Sequence, residues 1–564
     1  MAEINIPMVA DLHCHPTIPA LNTKYDMWNY NPPTDEERAN MINTSKLFGD
    51  FTQCDYTSLY KAKARLVFHS FYPIEQGILI PAFAKYPHES WTDAVLRVFA
   101  DSIEAIVGRP RLSRFLSEVV YQMLPARYNE ITSQDHSYFN DLLLEHGIFL
   151  TQQAKKPQED LLVVVENYAD LKQFLGINNQ YEIEYNAAET TIKTAVIFSV
   201  EGGHALGCGQ LNSLLRQDID EEIAVLNDTP APETQQLKDT LFKNIQTLRQ
   251  LGPVGRPGAH APFYITFCHH FWNQLCGQAT SLAGVMNRIA DQRRGLGQGF
   301  TELGKVVIQE LLRRDNGKRI LIDIKHMGPA GRKWYYDYLL NIENTTGEVI
   351  PIIASHMGVT GNTGATKPND PDPRVMDAAY ASDRTNLFNL WDINLSGDDL
   401  QAIHHSRGLI GLNFDQRILS GVKMVDNLES LSSDIKQSVT IINDDGEEED
   451  VPVPLHTILA YRAIWAQPLL ETLLFIVQTI YDKNLPGKEY AWQMVCIGSD
   501  FEGFINAIDA YCHAEDFQVL AFILGEHLKN RAIVDPLLYN MDLDEIVKGF
   551  MYKNALRFLE KNFV

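Results

Sequence analysis

The sequence predicts an α/β protein built on a closed parallel barrel of the (β/α)8, TIM type. Short apolar, β-rich runs alternate with stretches of helical periodicity along most of the chain. Nearly every such run ends abruptly in a polar or charged residue. These polar ends come from strands spread over the whole length, whereas an open doubly wound sheet offers a site mainly at one switch point.

The first run, residues 6–16, reads Ile-Pro-Met-Val-Ala-Asp-Leu-His-Cys-His-Pro. Side chains two apart on a strand share a face, so His13 and His15 point together while Cys14 points into the opposite layer. Two imidazoles so placed suit a metal ion; a strand end with solvated histidines is the competing reading of these residues alone. Residues 17–190 follow without a chemical motif. Leu96, Phe99, Ile103 and Ile106 recur at helical spacing, as do stretches near Leu116 and Leu142, so this span reads as a large, mainly helical insertion after the first strand.

Residues 194–200 form the next run, ending in Glu201-Gly202-Gly203-His204, where two glycines permit close backbone approach. A helix with Leu237, Leu241, Ile245 and Leu248 on one face leads to a strand at 263–268, ending in His269 and His270. After a helix at 300–314 come strands at 319–324, ending in Lys325 and His326, and at 349–354, ending in Ser355 and His356. Two more strands follow at 408–414 and 492–498, the latter ending in Ser499-Asp500-Phe501-Glu502-Gly503. Residues 358–385, rich in Gly, Pro, Asn and Asp, read as a long loop near the polar ends. The acidic run at 444–450 reads as a solvated loop tip and not as a calcium site. The expectation is one barrel domain over 1–564 with insertions at about 17–190, 358–385 and 425–455.

With 45% hydrophobic and 21% charged residues the composition is that of a globular protein, and no apolar run reads as long enough to span a membrane. No basic segment with an apolar core precedes the first strand, so a cytoplasmic location is expected. The net charge of −24 argues against nucleic acid or an anionic membrane as partner. Seven cysteines without a C-x-x-C pair are expected to be reduced, and Cys14, Cys268 and Cys496 lie inside apolar runs as core residues do.

Collected from the strand ends, His13, His15, Glu201, His269, His326, His356 and Asp500 combine imidazoles with carboxylates. That donor set suits zinc or a similar first-row divalent ion, and a carboxylate able to bridge suits two ions side by side. Any one of the 17 histidines has an explanation as a capped or core residue, but so many at strand ends call for a site.

The ordered blocks resemble those of metallopeptidases of the membrane dipeptidase (renal dipeptidase) type, a branch of the amidohydrolase superfamily. They are Val200-Glu201-Gly202-Gly203-His204, Tyr264-Ile265-Thr266-Phe267-Cys268-His269, residues 300–305 followed by Ile322-Asp323-Ile324-Lys325-His326, Ala354-Ser355-His356, Gly498-Ser499-Asp500-Phe501-Glu502-Gly503 and Asn554-Ala555-Leu556-Arg557. The resemblance implies a barrel carrying two divalent ions of the zinc class, one on His13, His15, Glu201 and Asp500, the other on Glu201, His326 and His356. It further implies hydrolysis of an amide bond of a dipeptide or related small amide by a hydroxide shared between the ions. Asp500 would carry the proton to the leaving nitrogen, and His269 would bind substrate and stabilise the oxyanion.

Two positions depart from the pattern. His15 stands where the family commonly has an aspartate, which raises the charge of the site by one. Ile393, in Ile393-Asn394-Leu395-Ser396-Gly397-Asp398-Asp399-Leu400, stands where the family has an arginine that grips the substrate's carboxylate. Either Lys367, Arg374 or Arg384 of the long loop supplies the cation, or Ile393 lines an apolar pocket and the substrate carries no carboxylate there. Ordering a loop cation costs entropy, so the second is expected. A metallophosphoesterase that also begins Asp-x-His-x-His and a metal-binding scaffold without catalysis are the alternatives. The first lacks its later blocks in this chain, and the second has no need of both Asp500 and His269. The expected partner is a small peptide or amide; the native metal is open, and so is assembly into a homo-oligomer.

Overall fold

The computed structural model describes residues 6–35, 37–38, 51–79, 123–155, 162–183, 193–210, 219–282, 290, 292–364, 387–435, 438–442 and 448–564. In chain order its strands are β1 (Val9–Cys14), β2 (Ala64–Phe71), β3 (Leu162–Val164), β4 (Thr194–Glu201), β5 (Tyr264–Thr266), β6 (Leu321–Asp323), β7 (Ile353–Met357), β8 (Leu409–Leu412), β9 (Ser438–Ile442), β10 (Glu448–Pro452) and β11 (Val495–Ile497). Eight of these close a parallel barrel in the order β1-β2-β4-β5-β6-β7-β8-β11, with Ile497 of β11 in register with Asp11 of β1. The seam between β2 and β4 is the longest, pairing Leu66 to Phe71 with Ala195 to Val200. Outside the ring, β3 extends the start of β4, and β9 and β10 form a separate antiparallel hairpin.

Helices wrap the barrel because their apolar residues recur on one face. In the helix Glu302–Leu312, Leu303, Val307, Ile308 and Leu311 are buried, and the Thr301 side chain accepts from the Gly304 N–H at 3.0 Å to start the first turn. The helix Pro232–Arg249 buries Leu241, Ile245 and Leu248 and opens with a proline at a position whose N–H would be unpaired anyway. Each fully buried aliphatic side chain of this kind contributes about 1.5–3 kcal/mol.

Four expectations are corrected by the fold. The span 17–190 is not simply a helical insertion, since it contains the second barrel strand. That strand, Ala-Arg-Leu-Val-Phe-His-Ser-Phe, is buried throughout except at Arg65, and its Arg, His and Ser break the apolar run that marks its neighbours. The stretch with Leu96, Phe99, Ile103, Ile106 and Leu116 lies outside the described residues, while Leu142 is buried in the helix Tyr138–Gln153. Second, the strand expected at 349–354 begins at Ile353, after Pro351, which has no N–H for the ladder, so His356 lies within β7 and not beyond it. Third, Glu448, Glu449 and Asp450 of the acidic run pair in β10, and the rest of that run lies outside the described residues.

Fourth, one helical stretch, Leu459–Asp482, is long and apolar enough to cross a membrane by length and composition. Of its most apolar window 67% is buried inside the protein, so those side chains already serve in packing. Of the long loop read at 358–385, the structure describes only 358–364, and Lys367, Arg374 and Arg384 lie outside the described residues.

Candidate metal centre

His13, His15, Glu201, His269, His326, His356 and Asp500 are brought together at the mouth of the barrel. Around Glu201, the last residue of β4, stand five histidine nitrogens, that of His269 among them at 3.6 Å. Oε2 lies 3.1 Å from His15 Nε2, and Oε1 lies 3.4 Å from His13 Nε2, 3.3 Å from His356 Nε2 and 3.7 Å from His326 Nε2. Asp500 completes the ring, with Oδ1 3.5 Å from His15 Nε2 and 3.9 Å from His13 Nε2, and Oδ2 3.8 Å from His356 Nε2. All seven side chains are buried.

The partners on the far side of each ring fix its tautomer. Tyr264 donates its hydroxyl to the Leu12 carbonyl at 2.6 Å, so at 3.1 Å it can only accept from His13 Nδ1. His15 Nδ1 donates to the Ser70 carbonyl at 2.9 Å. The Ser355 hydroxyl donates to Asp323 at 2.6 Å and accepts from His356 Nδ1 at 2.7 Å. Each of these three rings therefore presents a bare Nε2 lone pair inward, as a metal-ligating imidazole does.

That convergence is unfavourable without a cation. With neutral rings in these tautomers, two lone pairs of His13 and His15 meet at 3.1 Å, and both His356 Nε2 and Glu201 Oε1 are buried without a hydrogen-bond partner among the described residues. Burial alone would lower the pKa of His15, but the Asp500 and Glu201 carboxylates outweigh it and hold the ring well above its usual range. Burial alone would likewise raise Glu201, and the surrounding His269 and His13 hold it well below the ordinary carboxylate range. Positive charge is what this point lacks, and the donor set fits a divalent ion of the zinc class.

The backbone is shaped to deliver these groups. His326 and Asp500 both adopt left-handed conformations, with φ of 63° and 61°, which costs an L-residue about 1–2 kcal/mol and is tolerated where function fixes the position. Gly202, at φ 94°, turns the chain so tightly after Glu201 that a Cβ there would lie 2.2 Å from the His204 ring. A Cβ at Gly503 would lie 2.1 Å from Asp500 Oδ1.

His269 occupies a different position. Its Nε2 lies 3.6 Å from Glu201 Oε1, while its Nδ1 is 2.5 Å from Glu75 Oε2. Glu75 also accepts from the backbone N–H groups of His270 and Phe271, at 3.2 and 3.1 Å. Burial would raise Glu75, but His269 and His204 hold it down to about 2, and Glu201 and Glu75 in turn raise His269 against its burial. A protonated ring anchored in this way presents an N–H donor to the centre. His270 is brought beside His269 and His326 as well, its Nδ1 2.7 Å from Ser281 Oγ.

Residue order alone does not reveal Glu75, because it lies four residues past β2, the strand that the apolar pattern passes over. Nor does it reveal Asn413, which follows β8 and donates to Asp500 Oδ2 at 3.3 Å. Ile393 does not join the ring of ligands. It is 1% exposed, packs with Ala279, Trp391 and Ile418, and lines the same cleft as His326 and Asp500.

No family model matches the chain, and no curated protein matches it. Similarity appears among solved structures. The dipeptidase AC, a metallo peptidase of family M19, is 13% identical with a TM-score of 0.45 over 99% of both chains. A metallo peptidase from Rhodobacter sphaeroides, liganded with a phosphinate mimic of the dipeptide L-Ala-D-Ala, is 12% identical with a TM-score of 0.43, over 99% of this chain and 100% of that one. The probable dipeptidase PvdM from Pseudomonas aeruginosa is 13% identical with a TM-score of 0.41, over 93% of this chain and 97% of that one.

Proposed function

We propose that the chain is a binuclear metal-dependent hydrolase that cleaves an amide bond of a dipeptide or related small amide. The observation that supports this reading is the convergence of the His13, His15, His326 and His356 Nε2 atoms on the two oxygens of Glu201, at 3.1 to 3.7 Å. A carboxylate with two oxygens among so many imidazole nitrogens suits two ions side by side. His13, His15, Glu201 and Asp500 would hold one ion, and Glu201, His326 and His356 the other. When bound, such ions supply Lewis acidity, polarising the scissile carbonyl and acidifying water.

The remaining steps belong to side chains. Asp500, steadied by Asn413 and by its own N–H donating to the His13 carbonyl at 2.9 Å, accepts the proton of the attacking water and returns it to the leaving nitrogen. His269, held by Glu75, donates toward the oxygen on which negative charge develops. A scaffold that only bound metal would have no use for this second, anchored imidazole, which favours catalysis. The test is elemental analysis together with an assay on a panel of small amides. About two divalent ions per chain and metal-dependent cleavage support the reading, whereas failure to take up zinc, cobalt or manganese would sink it.

A further inference from the structure

Lys325 is the residue on which the expectation about substrate turns. It follows β6, directly before His326, and its backbone N–H donates to Asp323 at 3.1 Å. The residue is 1% exposed, yet among the described residues Nζ has no hydrogen-bond partner. A buried ammonium without a partner is expensive to maintain unless an anion meets it.

The neighbouring charges are already engaged. Arg417, at the other side of the cleft, is held by Asp415 through contacts of 2.5 and 3.0 Å. Asp323 receives Thr266 and Ser355, and Glu201 and Asp500 face the histidines. Lys325 lines the same cleft as Ile393, Ile418, His326 and Asp500. The position where the resemblance expects an arginine is therefore apolar, and a cation that no described side chain pairs stands at the neighbouring strand end.

We propose that Lys325 receives a carboxylate of the substrate, in place of the arginine that Ile393 displaces. This rests on the hydrolase reading above and assigns the residue that meets the substrate's charge, with apolar substituents against Ile393 and Ile418. It reverses the expectation that the substrate has no carboxylate there. A lysine is a point charge without the planar fork of an arginine, so the contact selects for charge more than for geometry.

Binding is measured by calorimetry on zinc-loaded protein with N-acetyl-L-alanine and its C-terminal amide as probes. The free acid should bind more tightly than the amide, and Lys325→Met should weaken the acid by about 10- to 100-fold while leaving the amide and the zinc content unchanged and not lowering the melting temperature. Lys325→Arg should restore much of the preference, and it also serves if the Met variant does not fold. Equal binding of acid and amide by the parent protein, or an equal loss of both in Lys325→Met, would overturn the proposal. Hydrolysis of Ala-Ala is assayed separately. Acid-selective binding without cleavage would count against the hydrolase reading and leave Lys325 as the anion site.

Discussion

Two clusters of buried histidines lie on opposite sides of the β1-β2 layer, and they behave in opposite ways. In one, His13, His15, His326 and His356 surround Glu201 and Asp500. In the other, His69, His146 and His260 sit among Phe71, Phe149 and Phe198, with His146 Nε2 2.9 Å from His260 Nδ1. Burial pushes His146 down to about 4 and His260 to about 3, and keeps His69 neutral. His69 pairs both nitrogens, with Thr17 and Tyr56 at 2.6 and 2.8 Å, and His146 and His260 pair with each other. Burial is common to both clusters, so it does not make a site. The distinguishing feature is ionised carboxylate placed where several lone pairs converge, a condition that the strand ends meet and the aromatic layer does not.

The strongest way to break this contrast is to remove a residue from each cluster. Glu201→Ala should abolish metal binding and reduce hydrolysis to background, whereas His146→Ala should leave the metal content unchanged and lower stability only. Elemental analysis of both variants checks this, and metal loss on changing His146 would void the distinction. Within the first cluster, Asp500→Asn keeps the shape and an oxygen donor but removes the carboxylate proposed as the base. Turnover should fall by at least about 10²-fold with much of the metal retained. Near-normal turnover would show that Asp500 only ligates.

A smaller effect is expected at Glu75, which acts on the centre through His269. Glu75→Gln should lower kcat by about 10- to 100-fold, the range for partners that orient and polarise an active imidazole, with metal content unchanged. Because Glu75 raises the pKa of His269, the acidic form of His269 should also be lost at lower pH in the variant. A pH-rate profile identical in position to that of the parent would mean that Glu75 only packs.

The same contrast explains what can be read from sequence. The strands that carry His13, Glu201, His269, His326 and Asp500 are short apolar runs with a polar terminus, so both the barrel and the cluster of candidate ligands are visible from residue order. The strand β2 carries Arg65, His69 and Ser70 within it, which defeats the pattern and hides Glu75 as well. Its His69 points into the aromatic layer, a pairing with Phe149 and Phe198 that depends on segments far apart in the chain. Tyr264 stands within a recognised block, but its role depends on the Leu12 carbonyl across the barrel, which spacing along the chain does not reveal. Lys325 is visible as a residue at a strand end, and only its unpaired burial in the folded protein gives it meaning.

The smallest expected effect sharpens the second cluster. Glu145, buried beside His69, is 2.6 Å from Thr17 Oγ1, and its other oxygen accepts from the Tyr72 N–H at 2.9 Å. Burial raises it from 4.5 to about 7 against these hydrogen bonds. Thr17 donates to Glu145 and can accept from His69 Nε2, whose Nδ1 then accepts from Tyr56, so the chain of hydrogen bonds ends on the carboxyl group. The folded state then binds a proton that the unfolded state has released once the pH exceeds about 4.5. This contribution to stability is complete below about pH 4.5 and is lost as the pH rises to about 7, at most about 3 kcal/mol by the usual conversion. Glu145→Gln keeps the neutral shape at every pH, so its melting temperature should decline less between pH 5 and pH 7 than that of the parent, by a few degrees at most. A parallel decline in both proteins would show that Glu145 is ionised when folded, and that the aromatic layer is less unlike the metal centre than its histidines suggest.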